Sequence, residues 1–159
     1  MASNSNEIVD ANLICRVGDV LRGIARRRDQ NFSGVGLVFY DRLLHLPHLQ
    51  LSNSYVHADP DKLSEDDLAI ALSCISVTSN PLHDGFHFIN ARRWQITHLS
   101  QFISPPIPPD AAHRFHGTGA RLMAALLTSI LPGIECVGLV SQGGSIQLFR
   151  HGNNIYKKD

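Results

Sequence analysis

Asp84-Gly85 and, further along, Gly117-Thr118 with Arg121 are where this sequence gathers residue types suited to phosphate and metal chemistry. A carboxylate directly before a glycine at a strand start is placed to meet a nucleotide-bound metal. The Asp points into a cleft, and the missing side chain lets a phosphate or ribose approach the backbone. A Gly-Thr pair opening a helix presents unpaired amides and a hydroxyl with the helix dipole behind them. Arg121, within one turn, adds a fork of donors to that anion-binding arrangement. Each pair also has a plain structural use, since Asp-Gly forms turns and Thr and Gly begin helices. Among nine histidines, His83 and His87 bracket Asp84, and His113 and His116 stand at i, i+3. Alternate strand residues point apart, so a strand after Gly85 would carry His87 away from Asp84. The histidines are therefore expected as surface or loop-anchoring groups rather than a metal site. Trp94, near Arg92 and Arg93, is either a stacking platform or, more simply, a core or interface residue.

The surrounding pattern supplies the elements to hold these groups. Ile8, Leu13, Ile14, Val17, Val20, Leu21 and Ile24 recur at helical spacing, predicting an amphipathic helix over Glu7 to Arg28. Its terminal Arg26-Arg27-Arg28 run suits a helix C-terminal dipole, with phosphate contact or oligomer docking as alternatives. Gly34 to Tyr40 predicts a strand, and Leu43 to Leu51, interrupted by Pro47, an edge strand or loop. Ser64 followed by Glu65-Asp66-Asp67 predicts a capped helix to about Thr78. Hairpins are expected from Gly85–Asn90 with Trp94–Leu99, and from Ile134–Val140 with Ser145–Arg150 around Gln142-Gly-Gly144. Between them, Ser104-Pro-Pro-Ile-Pro-Pro109 is a stiff loop. It leads to a helix that begins at Asp110 or near Gly117 and runs to the stop signal Leu131-Pro-Gly133. The fold class is α/β, a single mixed sheet flanked by helices.

Composition narrows the function. The chain has 159 residues, 43% hydrophobic, enough for one domain over 1–159, with 1–6 and 153–159 as tails. Fourteen Lys and Arg balance fourteen Asp and Glu, so no overall field favours extended nucleic acid. Cys15, Cys74 and Cys136 lack metal-ligand spacing and sit in apolar stretches, which predicts buried, reduced thiols. No apolar run reaches the roughly 18 residues of a membrane span and no leader pattern opens the chain. A cytoplasmic protein without membrane insertion is expected, its output passing through a partner or a diffusible ligand.

Order then links the separate motifs. Asn80-Pro-Leu-His-Asp-Gly85 resembles the T-P-L-H-D-G-A segment of the diadenylate cyclase domain family. His116-Gly-Thr-Gly-Ala-Arg-Leu-Met-Ala-Ala125 resembles its L-G-T-R-H-R-A-A helix start, and Val140-Ser141-Gln142 falls where the family has V-S-E-E. The resemblance is strongest over 64–152. In that family two ATP-bound domains meet face to face and form cyclic di-AMP. The resemblance implies that Asp84 binds Mg²⁺ or Mn²⁺ and is the catalytic residue if the site is active. It also implies that Gly85, Gly117, Thr118 and Arg121 meet phosphate, that Ser141 and Gln142 line the pocket, and that Leu82 and His83 shape its loop.

The departures bear on activity. Phe86 replaces the family's alanine and would either stack on a base or fill the core. Gly119 and Ala120 replace two of the three R-H-R side chains, and Gln142 with Gly143 replaces the carboxylates. Losing preorganised charge at a phosphoryl centre costs orders of magnitude in rate, while binding can survive. The leading expectation is thus a sensor domain for ATP or a cyclic dinucleotide, acting through a second copy or an effector protein. Alternatives are an active cyclase-like nucleotidyltransferase in which Arg114, His116 or Arg150 replaces the lost groups, and a non-catalytic interaction module.

Overall fold

Val35–Tyr40 (β1) is apolar throughout and buried along its whole length, as expected of a central strand covered on both faces. The computed structural model describes residues 3–53, 63–114 and 118–156. In chain order the elements are α1 (Ser3–Arg27), β1, β2 (His48–Gln50), α2 (Glu65–Ile75), β3 (Phe86–Asn90), β4 (Gln95–Ile103), α3 (Ala111–Arg114), α4 (Ala120–Thr128), β5 (Ile134–Val140), β6 (Ile146–Arg150) and β7 (Asn153–Asn154). The strands form one seven-stranded mixed sheet in the order β2-β4-β3-β1-β5-β6-β7. Among the described strands, β1 and β3 are the one parallel pair; β1 meets β5 antiparallel on its other side.

Helices cover both faces. Val17, Leu21 and Ile24 of α1 and Leu68 and Leu72 of α2 close over Val35, Leu37 and Phe39. On the opposite face Ala125 of α4 joins Val38, Tyr40, Phe86 and Phe88. Each large side chain so buried contributes about 1.5–3 kcal/mol of transfer free energy. The helix predicted from Ser64 begins as expected, with the Ser64 hydroxyl accepting from the Asp67 N–H at 3.1 Å.

Some expectations are corrected and others are made specific. Asn153–Asn154, expected as part of a tail, form strand β7 against β6, and Ile155 N–H donates to Leu148 O at 2.7 Å. The first helix begins at Ser3 rather than after a six-residue tail. Cys15 and Cys74 are exposed; only Cys136 is buried, and burial pushes its thiol pKa upward. Trp94 is fully buried at φ 55, tilted against Phe39 at 5.6 Å. The cation over its ring is Arg16, from α1, at 4.0 Å, and not a neighbouring hairpin arginine. Two of the three arginines are used within the fold: Arg27 pairs with Asp66 at 2.7 Å, and Arg28 donates to Ala25 O at 2.6 Å, close to the helix end. Among the described residues no helix is long and apolar enough to cross a membrane.

Candidate functional site

Asn80 builds the loop that carries Asp84. Its side-chain oxygen accepts from Leu82 N–H at 2.9 Å, and its carbonyl accepts from His83 N–H at 3.1 Å and lies 2.7 Å from His83 Nδ1. Pro81 follows Asn80 with φ already set for a turn. Leu82 is buried and anchors the loop, His83 is half-buried, and Asp84 projects with 71% of its side chain exposed. Asp84 Oδ1 accepts from Gly85 N–H at 2.8 Å. Gly85 then crosses β4 at φ +80, where a Cβ would stand 2.5 Å from Gln101 O.

Phe86 is resolved as a core residue. It is 5% exposed and pairs with Gly36 on β1, where a Cβ would lie 2.5 Å from two of its ring carbons. The ring occupies the room left by a glycine on the neighbouring strand. Gly36→Ala should therefore cost about 1–3 kcal/mol by overpacking. In a Phe86→Val background the same change should be nearly neutral, a coupling readable in a double-mutant cycle of urea denaturations. Additive losses would contradict the contact.

His87, on the next position, points to the other face and is fully buried. A bulge in β4 places Ser100 at φ 52, and its N–H donates to His87 Nδ1 at 3.0 Å. Burial, with the Arg121 cation acting in the same direction, lowers the His87 pKa to about 4. His87 is a neutral, sheet-anchoring histidine, and among the described residues no group of three or more His, Cys, Asp or Glu stands together.

The second half of the site comes from α4. Its N-cap is Gly119, at φ −66 and ψ 158, so Thr118 stands one residue before the cap rather than at the helix start. Gly117 and His116 lie outside the described residues. Arg121, in the first turn, reaches back toward the loop: its Nη2 is 3.9 Å from Asp84 Oδ1, at the outer limit of ion pairing. Its Nη1 lies beside the backbone of Gly34, where a Cβ would stand 3.2 Å from it and 3.3 Å from Gln142 N. Gly34, Asp84, Arg121 and Gln142 thus meet at one end of the sheet, where β1 begins and β5 ends.

Between the start of α4 and the end of β5 is a cavity of about 340 Å³ lined by Gly119, Ala120, Arg121, Leu122, Leu139, Val140, Ser141 and Gln147. This is at the lower end of the range for small-molecule pockets. Ser141 borders it, but its hydroxyl also accepts from Ser145 N–H at 2.9 Å within the hairpin turn. Gly34 and Gln147 were not among the residues predicted from sequence. Only the Gly-Val-Gly pattern opening β1 hinted at the former. Arg150, considered as a substitute catalytic group, pairs instead with Asp10 at 2.9 Å in a separate groove of about 800 Å³ between α1 and β6.

The donor set does not fit a protein-held divalent ion. Held by protein groups alone, such an ion draws on several hard oxygens, and among the described residues Asp84 is the one carboxylate at this end of the sheet, with Gln142 and Gly143 where the resembling family has acids; a metal here would depend on the ligand's own phosphate oxygens.

Among solved structures the chain is similar to DacA from Staphylococcus aureus, a diadenylate cyclase crystallised as a double cysteine mutant. The identity is 21% and the TM-score 0.54, over 96% of this chain and 87% of that one. It is also similar to a hypothetical membrane spanning protein from Bacillus cereus, at 18% identity and TM-score 0.57, over 85% of this chain and 58% of that one. No protein-family model matches the chain, and neither does any curated protein. The likeness establishes the fold, a diadenylate cyclase-like mixed sheet flanked by helices.

Proposed function

We propose that this chain, built on the diadenylate cyclase fold, is a sensor domain that binds ATP or a cyclic dinucleotide and has little or no cyclase activity. The observation carrying this reading is the convergence of Arg121, Asp84 and the Gly34 backbone beside the cavity at the start of α4. A guanidinium there offers paired donors to a phosphate, and the exposed amides at the helix start add a favourable dipole. The nucleotide-facing set is then Asp84, Gly85, Thr118, Arg121, Ser141 and Gln142, with Leu82 and His83 holding the loop.

Catalysis would need more than these groups supply. Cyclisation develops charge on the transferring phosphoryl group, and each missing preorganised donor costs orders of magnitude in rate. Gly119 and Ala120 carry no donor side chain, and Gln142 no charge. The proposed output is a change in how the domain meets an effector protein or a second copy of itself.

Calorimetric titration with ATP and with cyclic di-AMP should give saturable binding. Arg121→Ala should weaken it by about 10–100-fold, the scale of one lost charge-assisted contact. Mass spectrometry after incubation with ATP and Mg²⁺ or Mn²⁺ should find no cyclic dinucleotide. Robust product would overturn the sensor reading in favour of an active nucleotidyltransferase, and absence of all binding would leave an interaction module.

A further inference from the structure

We infer that the site binds its anionic ligand without a divalent metal, the Arg121 guanidinium standing beside Asp84 in the position a cation would take. The inference rests on the nucleotide reading above and concerns how that site handles charge. Asp84 Oδ1 already accepts from Gly85 N–H at 2.8 Å and faces Arg121 Nη2 at 3.9 Å, so a fixed positive charge lies within ion-pair range of the carboxylate. Arg121 is also seated: its guanidinium rests against Gly34, which at φ +81 has no side chain to exclude it.

Three physical consequences follow from that placement. A dication at Asp84 would be held close to a like charge, which opposes its binding. Asp84 belongs to no group of three or more His, Cys, Asp or Glu among the described residues, so a dication there would lean on the ligand's phosphates for the rest of its shell. The guanidinium, unlike a metal, needs no coordination shell; it faces Asp84 across 3.9 Å and can present its N–H groups to phosphate oxygens. Asp84 then offsets the charge of Arg121 across that gap instead of holding a metal.

The test is calorimetry of the full chain with cyclic di-AMP and with ATP, in excess EDTA and again with Mg²⁺ or Mn²⁺. Affinity for cyclic di-AMP, which chelates little metal itself, should change by less than about threefold between conditions, as expected of a guanidinium-held anion. Binding that tightens about tenfold or more with either metal, as a bridging dication would produce, would overturn the inference while leaving the nucleotide reading standing. Absence of binding in both conditions would overturn that reading and this inference together.

Arg121→Gln provides the second arm. The side chain is partly exposed, so the fold should tolerate the change. In EDTA this variant should bind about tenfold more weakly or worse, and Mn²⁺ should recover part of the loss once Asp84 no longer faces a cation. Wild-type affinity of Arg121→Gln in EDTA would contradict the assignment.

Discussion

Gly85→Ala should cost the fold about 3–5 kcal/mol, combining left-handed backbone strain with overpacking against the next strand. Gly85 sits at φ +80, and its added Cβ would stand 2.5 Å from Gln101 O and 2.9 Å from Gln101 C. Those are backbone atoms of β4, which cannot swing aside as a side-chain tip does. Relief would require β3 and β4 to separate where Phe86 pairs with Gln101. A loss of that size is a large part of the 5–15 kcal/mol typical of a domain. Gly119→Ala is the matched control, because φ there is −66 and nothing lies within 4 Å of the added Cβ. It should cost no more than about 1 kcal/mol, the difference between poor and fair N-caps. Urea denaturation of both variants measures the contrast, and equal small losses would show that the Asp84 loop is not held by this crossing.

Acidification should destabilise the protein through His87. Its folded pKa, about 4, is below the ordinary value of 6.5 because the imidazole is buried and Arg121 lies on the same side of the balance. Above 6.5 both folded and unfolded chains leave the ring neutral, so its contribution is fully present. As pH falls from 6.5 to 4, the unfolded chain takes up a proton that the folded chain cannot accept, and stability drops through that window by up to about 3 kcal/mol. Unfolding free energies at pH 7.5, 5.5 and 4.5 should show the decline. His87→Asn, whose amide oxygen can accept from Ser100 N–H, should flatten it. An unchanged slope in the variant would place the acid sensitivity elsewhere.

What the sequence disclosed depended on how locally each feature is determined. Helix α2 was legible because its cap and acidic first turn are local chemistry, and the two hairpins because turn residues separate β-rich runs. Strand β7 escaped notice since two asparagines have no strand propensity; only pairing with β6 orders them. Thr118 was placed one position too far into the helix, as Thr and Gly are both good caps and Gly119 took the role. Phe86 could not be assigned from its own type: its burial depends on Gly36, fifty residues earlier by number, being next to it on β1. The same non-locality hid Gly34, which matters only once Arg121 and Gln142 are brought beside it. Conversely, Asp84 and Arg121 were identified by type and order, and the fold does bring them within 3.9 Å.

Amide chemical shifts followed during titration with cyclic di-AMP and with ATP test the central claim most directly, because they locate binding as well as detect it. The expected result is saturable shifts confined to Gly34, Asp84, Gly85, Thr118 to Arg121 and Val140 to Gln142, with Asp10, Gly18, Arg22 and Arg150 of the larger α1–β6 groove unmoved. Shifts centred on that groove, or none at either place, would contradict a nucleotide site at the start of α4.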